Sequence, residues 1–240
     1  MIDSELSIEI SATDKICIEP VSDNIVKPFD ASASVFAVNW FNLKSSFFYN
    51  LYSLLASKYV RKVSGKVHFK GTLINQIEGD KEISRENLLI VSYPSPSQFL
   101  KLVSFKFFQM ISVFRIIAVK QFCFGFTSRL DSGSGSFSKQ QIYLVYFFQG
   151  NKQWLMENYQ DLTTTAENYE VENYYSGLTT ARLVRVSSGK WHVASFNMDG
   201  ILLFAADSIE QLEKFVEDEY FQAFRKSNIS NSIFLFNRTH

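Results

Sequence analysis

Runs of β-branched and aromatic residues recur along the chain and predict buried strands. They cover residues 35–41, 67–77, 88–91 and 121–126 in the first half, and 142–148, 181–186, 201–204 and 232–236 in the second. Between these runs, apolar residues recur at helical spacing, as in Phe48, Leu51, Leu55 and Tyr59. Each half is therefore predicted to follow the order β-α-β-β-α-β, in which two helices cover one face of a four-stranded antiparallel sheet.

The two halves also repeat in sequence. Residues 113 positions apart are identical, without a gap, in the pairs Leu89–Leu202, Ser95–Ser208, Gln98–Gln211, Lys101–Lys214, Val103–Val216, Phe108–Phe221 and Gln109–Gln222. Each serine follows a predicted strand and precedes a glutamine by three positions, which is the pattern of a helix-capping box. Pro96 then takes the first helical position, where its missing N–H costs nothing.

The uncovered face of each predicted sheet is lined by Phe, Tyr, Val and Ile, so it has to be buried against another layer. The sheet of the other half is the nearest partner. We therefore predict an α+β fold of two ferredoxin-like βαββαβ repeats, whose antiparallel sheets pack face to face as an intrachain pseudo-dimeric α+β barrel. The lumen of such a barrel is the natural place for a ligand.

A Ser/Gly-rich segment at 131–139 divides the chain and predicts a flexible linker. The predicted units are an N-terminal arm at 1–32, the first repeat at 33–130 and the second repeat at 140–240. The arm contains a short alternating stretch at 6–10 that predicts an edge strand, whose partner the sequence does not identify.

Charge and cysteine content narrow the function classes. Lys+Arg and Asp+Glu both number 24, and a nucleic-acid-binding protein would be expected to carry a basic excess. No apolar run reaches the roughly 18 uncharged residues of a membrane span. Two distant cysteines, Cys17 and Cys123, and a start without a signal-peptide pattern favour a cytoplasmic protein.

Histidine is the side chain most suited to acid–base chemistry near neutral pH, and the chain has three. His68 lies in a predicted strand, and His192 follows Trp191 between two strands. His240 is the last residue. None is spaced with Cys, His or Asp as metal ligands usually are, so we expect neither a metal nor another cofactor. His68 and His192 are the candidate catalytic residues, although a strand histidine often has only a structural role.

The candidate ligand-binding residues are Tyr93, Arg115, Arg225 and Trp191. Arg115 and Arg225 lie near the ends of the second predicted helices. There they could bind a carboxylate, or they could simply complement the helix dipole. Tyr93 precedes the capping segment and is expected to face the lumen.

The predicted helix at 99–114 is apolar on nearly every side, which indicates that it is covered on more than one face. Either the N-terminal arm or a second copy of the chain could provide this cover. A homo-oligomer through the 99–114 helix is therefore one hypothesis for a partner.

Several of these segments resemble a known family. Gly79-Asp80, the strand end at Tyr93-Pro94-Ser95 and the FLKL…FFQ stretch with Arg115 are similar to DUF1330-type proteins of the dimeric α+β barrel superfamily. That superfamily also contains antibiotic-biosynthesis and haem-degrading monooxygenases and chlorite dismutase relatives. The second half resembles it through Ser188-Gly189, Ala206-Asp207-Ser208 and Tyr220-Phe221-Gln222. The resemblance implies a fused version of a barrel that is normally a homodimer.

Three functional hypotheses follow. The first is a small-molecule-binding or accessory module that holds a small apolar or aromatic molecule in the barrel lumen. The second is a cofactor-independent enzyme, similar to a monooxygenase or isomerase, that uses His68, His192 or an arginine in the lumen. The third is a protein-interaction scaffold that assembles through the apolar helix of the first repeat.

Overall fold

The structure is a computed structural model that describes residues 6–11, 14–21, 30–80, 84–130, 141–187, 190–193 and 196–239. At residues 186 and 191–193 the description is limited to the backbone. The predicted linker at 131–139 and His240 lie outside the described residues.

Eleven strands and six helices follow one another along these residues. The first half contains β1 (Ser7–Ser11), β2 (Asp14–Pro20), β3 (Val35–Leu43), α1 (Ser46–Lys62), β4 (Lys66–Glu78), β5 (Asn87–Tyr93), α2 (Pro96–Ser104), α3 (Lys106–Ala118) and β6 (Val119–Arg129). The second half contains β7 (Ile142–Gln149), α4 (Lys152–Glu167), β8 (Glu172–Ser187), β9 (Lys190–Val193), β10 (Gly200–Ala206), α5 (Ile209–Glu217), α6 (Glu219–Lys226) and β11 (Ser230–Arg238).

Eight of the strands close into an antiparallel barrel with the helices outside it. The order is β8-β10-β7-β11-β4-β5-β3-β6, and β6 pairs again with β8. The order β4-β5-β3-β6 in the first half matches β8-β10-β7-β11 in the second. The two junctions, β4 with β11 and β6 with β8, join one half to the other. Closure therefore pairs the strands that would otherwise be exposed sheet edges.

Irregular features also recur at equivalent positions. In β4 the register with β5 shifts between Val67 and Phe69, and in β8 the register with β10 shifts between Asn173 and Tyr175. Gly71 lies two residues after Phe69, and Gly177 lies two residues after Tyr175. A Cβ atom at either glycine would collide with the ring two residues before it. Strand β8 is longer than the strand predicted at 181–186. Its first half, from Glu172, contains no continuous apolar run, so it was not predicted as a strand.

The second helix predicted in each half is broken in two. The breaks lie at Phe105 and Asp218, which are also 113 positions apart. Gln109 Nε2 donates to the Val103 carbonyl at 3.0 Å, and Gln222 Nε2 donates to the Val216 carbonyl at 2.9 Å. In both halves the break leaves the valine carbonyl without a backbone amide partner, and the glutamine side chain donates to it instead. The identical glutamines and valines therefore have the same structural role in the two halves.

The capping prediction is confirmed in the second half and wrong in the first. Ser208 and Gln211 form the reciprocal box at the start of α5. The Ser95 side chain makes no capping hydrogen bond, and the turn is closed instead by the Gln98 amide donating to the Ser95 carbonyl at 3.1 Å. Pro96 is the first residue of α2, as predicted.

The N-terminal arm forms a hairpin that extends the sheet. β1 pairs with β2, and β2 pairs with β8, which supplies the partner that the sequence did not identify. Leu6 and Ile18 of the arm are buried in the same cluster as Leu100 and Leu102 of α2. The arm therefore covers α2. Across the ranges that the structure describes, no helix is long and apolar enough to cross a membrane.

Aromatic side chains fill the barrel interior. Trp40 stacks on Phe147 with ring centroids 4.5 Å apart, and Phe69 meets the Tyr143 ring edge-on at 5.0 Å. The buried members of this lumen cluster are Phe36, Val38, Trp40, Phe69, Leu88, Ile90, Tyr143, Val145, Phe147, Tyr174, Tyr175, Phe196, Ile201, Leu203, Ala205, Phe234 and Phe236. These side chains occupy the space in which the sequence analysis placed a ligand.

Phe196 and Gly125 offer a test of how tightly the lumen is packed. A side chain at Gly125 would overlap the Phe196 ring. We expect Gly125→Val to lower the free energy of unfolding by about 1–3 kcal/mol through overpacking, as measured by urea unfolding. In a Phe196→Ala background the same substitution should cost less, because the ring is gone. Equal costs in both backgrounds would contradict this packing.

Candidate functional site

A cleft of about 830 Å³ lies on the outside of the first half, between its helices and its sheet. The outer faces of β3, β4 and β5 form the floor, α1 forms one wall, and α2 and α3 form the other. Most of the lining is apolar, with Val91, Phe99, Leu102 and Phe124 among the contributing residues. The cleft is thus separated from the packed lumen by the sheet.

The cleft exists because the first half has smaller floor residues than the second. Asn39 pairs with Leu89, and Tyr146 pairs with Leu202, so Asn39 and Tyr146 hold equivalent positions in the two sheets. Two neighbouring positions differ in the same direction, with Ala37 and Val91 in the first half and Leu144 and Phe204 in the second. In the second half the Tyr146 ring fills this space and contacts Phe221 and Phe224, with centroids 5.3 and 5.6 Å apart.

Helix α1 adds to the opening because it packs sideways on α3. Tyr59 stacks on Phe107 at 5.3 Å between ring centroids, and Tyr52 meets Phe108 at 6.3 Å. Only Tyr49 and Ala56 of α1 are fully buried, whereas α4 buries Lys152, Leu155, Leu162 and Ala166. The equivalent helix of the second half therefore closes over its sheet, and α1 does not.

Asn39 places a hydrogen-bond acceptor on the cleft floor. Its Nδ2 donates to the carbonyls of Ala37 and Leu89, at 3.2 and 3.3 Å. Carbonyls only accept, so the orientation of the amide is fixed and Oδ1 is left as the acceptor. No donor from the described part of the chain reaches Oδ1.

Two buried tyrosines supply hydroxyl groups to the same cleft. Tyr93 is 4% exposed and packs edge-on against Phe99, with ring centroids 5.4 Å apart. Burial raises the pKa of Tyr93, and it raises the pKa of Tyr49 to about 12. Both side chains are therefore neutral near pH 7. Tyr93 was expected to face the lumen, but it lies on the opposite face of the sheet.

The cations of the cleft have no acidic counterparts in its lining. Lys70 is half-buried, with Nζ 5.9 Å from the centroid of the Tyr49 ring, and burial lowers its pKa. The Arg115 guanidinium lies 4.3 Å from the Phe122 ring centroid. Arg61 and Lys66 are exposed at the rim. No aspartate or glutamate is among the residues that line the cleft.

The remaining candidates do not line this cleft. His68 lies at the register shift of β4, where Nε2 is 2.7 Å from Ser92 Oγ and the ring meets the lumen residue Phe36 edge-on at 5.1 Å. Burial lowers the pKa of His68, and the charges of Arg129 and Lys66 lower it further. The imidazole is therefore held in its neutral form.

Arg225 has protein partners instead of a cleft position. It forms an ion pair with Glu78, and Nη1 donates to the Val216 carbonyl at 3.4 Å. Trp191 and His192 belong to β9, where His192 pairs with Arg185. Their side chains lie outside the description. Of the residues proposed from the sequence, the structure brings together Tyr93 and Arg115.

Asn39, Tyr49 and Lys70 line the cleft but were not predicted from the sequence as site residues. One signal for Asn39 is present, because it is a polar residue in the middle of the apolar run VFAVNWF. Tyr49 and Lys70 carry no comparable signal, because α1 and β4 are amphipathic and either face could have been buried.

The family resemblance raises the question of haem, which is usually held by histidine, cysteine, methionine or tyrosine. The residues that line the cleft include no histidine, cysteine or methionine. Its buried tyrosines are held neutral, whereas a haem ligand of this type is a phenolate. The cleft residues do not fit a haem. Within the described ranges no group of three or more His, Cys, Asp or Glu side chains could hold a metal ion.

Comparison with known proteins identifies the fold. No protein-family model matches the chain, and no curated protein matches it. A proposed monooxygenase from Fusobacterium nucleatum has a similar structure, with a TM-score of 0.55, 13% identity and coverage of 88% of this chain and 94% of its own. A second proposed monooxygenase, from Lactobacillus acidophilus, has a TM-score of 0.51, 8% identity and coverage of 86% and 94%.

A mutant chlorite dismutase from Candidatus Nitrospira defluvii is also similar, with a TM-score of 0.52, 12% identity and coverage of 88% of this chain and 93% of its own. These three are dimeric α+β barrel proteins. The chain shares their fold, an antiparallel β-barrel with helices on its outer face.

Proposed function

We propose that this chain is a small-molecule-binding protein, and that its ligand is an apolar ring system held in the cleft of the first half. The observation that carries this proposal is the difference between the halves at one position. Asn39 leaves open a space that Tyr146 fills in the equivalent location. The volume lies within the range of about 300–1,000 Å³ that ligand pockets usually have.

The walls of the cleft favour an aromatic ligand. Burial of apolar surface is favourable by roughly 25 cal/mol for each Å² removed from water. A flat ring system between α1 and the sheet would therefore be bound favourably, because it would bury apolar surface that α1 leaves uncovered. Aromatic rings at Tyr52, Phe99 and Phe124 line this space and can pack against such a ligand. The site lies between helix and sheet, not in the lumen where the first hypothesis placed it.

We also propose that the barrel is a fused pair of ferredoxin-like repeats of the DUF1330 type, at 33–130 and 140–240. The matching strand orders, the equivalent register shifts and the two glutamine-bridged helix breaks support a duplication. A duplication also explains why one half can keep a cleft while the other becomes a packed core.

A second candidate function is cofactor-independent oxygenation of the bound ligand. Two proteins with this fold are proposed monooxygenases. In addition, Lys70 supplies a cation in the mostly apolar cleft, where a positive charge would favour ionisation of a phenol. In the reaction 1-naphthol + O₂ → 1,4-naphthoquinone + H₂O, one oxygen atom enters the ring as a carbonyl, and the other leaves as water with the phenolic hydrogen and one ring hydrogen.

A third proposal concerns a partner. On α3 an apolar stripe is exposed, whereas the described residues of the N-terminal arm pack mainly on α2. Its exposed members are Phe107, Met110, Val113, Ile116 and Ile117, with exposures of 41% to 70%. Contiguous apolar surface of this kind is typical of an interface. We propose a homo-oligomer through this stripe.

Asn39→Tyr tests the binding site. The tyrosine ring should fill the cleft as Tyr146 does in the second half, so we expect the affinity for 1-naphthol, measured by isothermal titration calorimetry, to fall at least ~10-fold. Asn75→Tyr places the same substitution on an exposed position of β4 and should leave the affinity unchanged. Unchanged binding by Asn39→Tyr, or no binding by the unmodified protein, would sink the proposal.

Oxygenation is tested with an oxygen electrode and 1-naphthol. If the second candidate is right, the protein raises oxygen uptake above the uncatalysed rate, ¹⁸O from ¹⁸O₂ enters the quinone, and Asn39→Tyr returns uptake to background. If 1-naphthol binds but oxygen uptake does not rise, the proposed binding function still holds and the proposed oxygenation of 1-naphthol is wrong.

The stripe on α3 is tested by sedimentation velocity. We expect an oligomer that Met110→Glu dissociates, because a charge in an apolar interface is costly. Met156→Glu places the same charge at an exposed methionine of α4 and should leave the oligomer intact. A monomer at all concentrations, or an oligomer that both variants leave unchanged, would contradict the proposed interface.

A further inference from the structure

Two half-buried cations line the cleft without a carboxylate partner in the described ranges. Lys70 contacts the Tyr49 ring, and Arg115 contacts the Phe122 ring. In the second half, by contrast, the buried cation has an acidic partner. Lys152 is 6% exposed and forms an ion pair with Asp199, with Nζ 3.1 Å from Oδ1. A charge withdrawn from water is stabilised by an opposite charge. A negatively charged group on a ligand would therefore stabilise the cleft cations.

The two cations lie around the same point of the cleft. Lys70 approaches the Tyr49 ring from β4, and Arg115 reaches this region from α3. Arg115 lines the cleft together with Tyr49 and Tyr93, and its charge opposes the rise in the pKa of both tyrosines. Arg61 and Lys66 add positive charge at the rim. The lining of this mostly apolar cleft therefore carries a net positive charge.

The floor carries a different kind of polar group. Asn39 Oδ1 accepts no hydrogen bond from any described residue, and it lies beneath the apolar walls. The Tyr93 hydroxyl, on an almost completely buried side chain, likewise has no hydrogen-bond partner in the parts of the chain that are described. A ligand hydroxyl can satisfy both, because it donates to Asn39 and accepts from Tyr93.

We infer that the ligand is a hydroxylated aromatic carboxylate. Its carboxylate lies beside Lys70 and Arg115, its rings lie between the apolar walls, and its hydroxyl group meets Asn39. This inference rests on the proposed binding function and adds the chemical class of the ligand. An aromatic ring carries no net charge, so ring contacts do not replace an anion as the partner of two cations in one cleft.

Isothermal titration calorimetry with matched probes tests the charge. The probes are 6-hydroxy-2-naphthoate, its neutral amide 6-hydroxy-2-naphthamide, and 2-naphthoate, which lacks the hydroxyl. We expect the carboxylate to bind at least ~10-fold more tightly than the amide, with a preference that weakens as salt is added. Lys70→Met and Arg115→Met should each remove most of this preference, because they lower the affinity for the carboxylate far more than the affinity for the amide.

Lys58→Met is the matched control for the charge. Lys58 lies on α1 but is exposed and does not line the cleft, so its loss should not change the preference. The hydroxyl contact is tested by Asn39→Leu. The unmodified protein should favour 6-hydroxy-2-naphthoate over 2-naphthoate, and this variant should lose most of that preference, because only the Tyr93 contact to the hydroxyl would remain.

The outcomes separate the inference from the function on which it rests. Equal binding of the carboxylate and the amide would overturn the inference and leave the binding proposal in place. A preference for the carboxylate that Lys58→Met reduces as much as Lys70→Met would also overturn it, because the effect would then be one of net charge. Failure of all three probes to bind would remove the binding proposal together with the inference.

Discussion

The packing of aromatic rings inside the barrel is the constraint on which the rest of the structure depends. Neither sheet can cover its own inner face, so the rings of one half, such as Trp40, must stack on those of the other, such as Phe147. This mutual burial closes the barrel and leaves the interior as a core. Space for a ligand can then arise only on the outer faces, where the fit between a helix and its sheet can be loosened without opening the barrel.

The outer faces of the two halves are packed differently. In the second half, large residues on the outer face and a helix that closes over them make a continuous core. In the first half, Asn39 and a helix displaced toward α3 leave the floor uncovered. Cavities lower stability in proportion to their size, so a single chain can tolerate one more easily when its other half contributes a dense core. Because the two halves belong to one chain, the dense core of the second half can offset the stability that the cleft costs the first.

The order of strands and helices and the barrel with helices outside it could be predicted from the sequence, because they depend on apolar periodicity. The cleft could not be predicted, since it depends on which residue of β3 lies beside which residue of β5. Asn39 and Tyr146 become comparable only when their strand pairings are known. The lumen was predicted as a site because an apolar inner face looks the same in sequence whether it is packed or hollow.

The proposed fusion of two repeats in one chain has a consequence for how such a protein would respond to ligand concentration. A homodimeric barrel is symmetric, so any cleft must occur twice, and the two copies can communicate through the shared core. Here the Tyr146 ring removes the second copy. Under the proposed binding function, saturation of each chain is a single event with a hyperbolic dependence on ligand concentration. Homotropic cooperativity, which requires at least two sites, would then arise between chains.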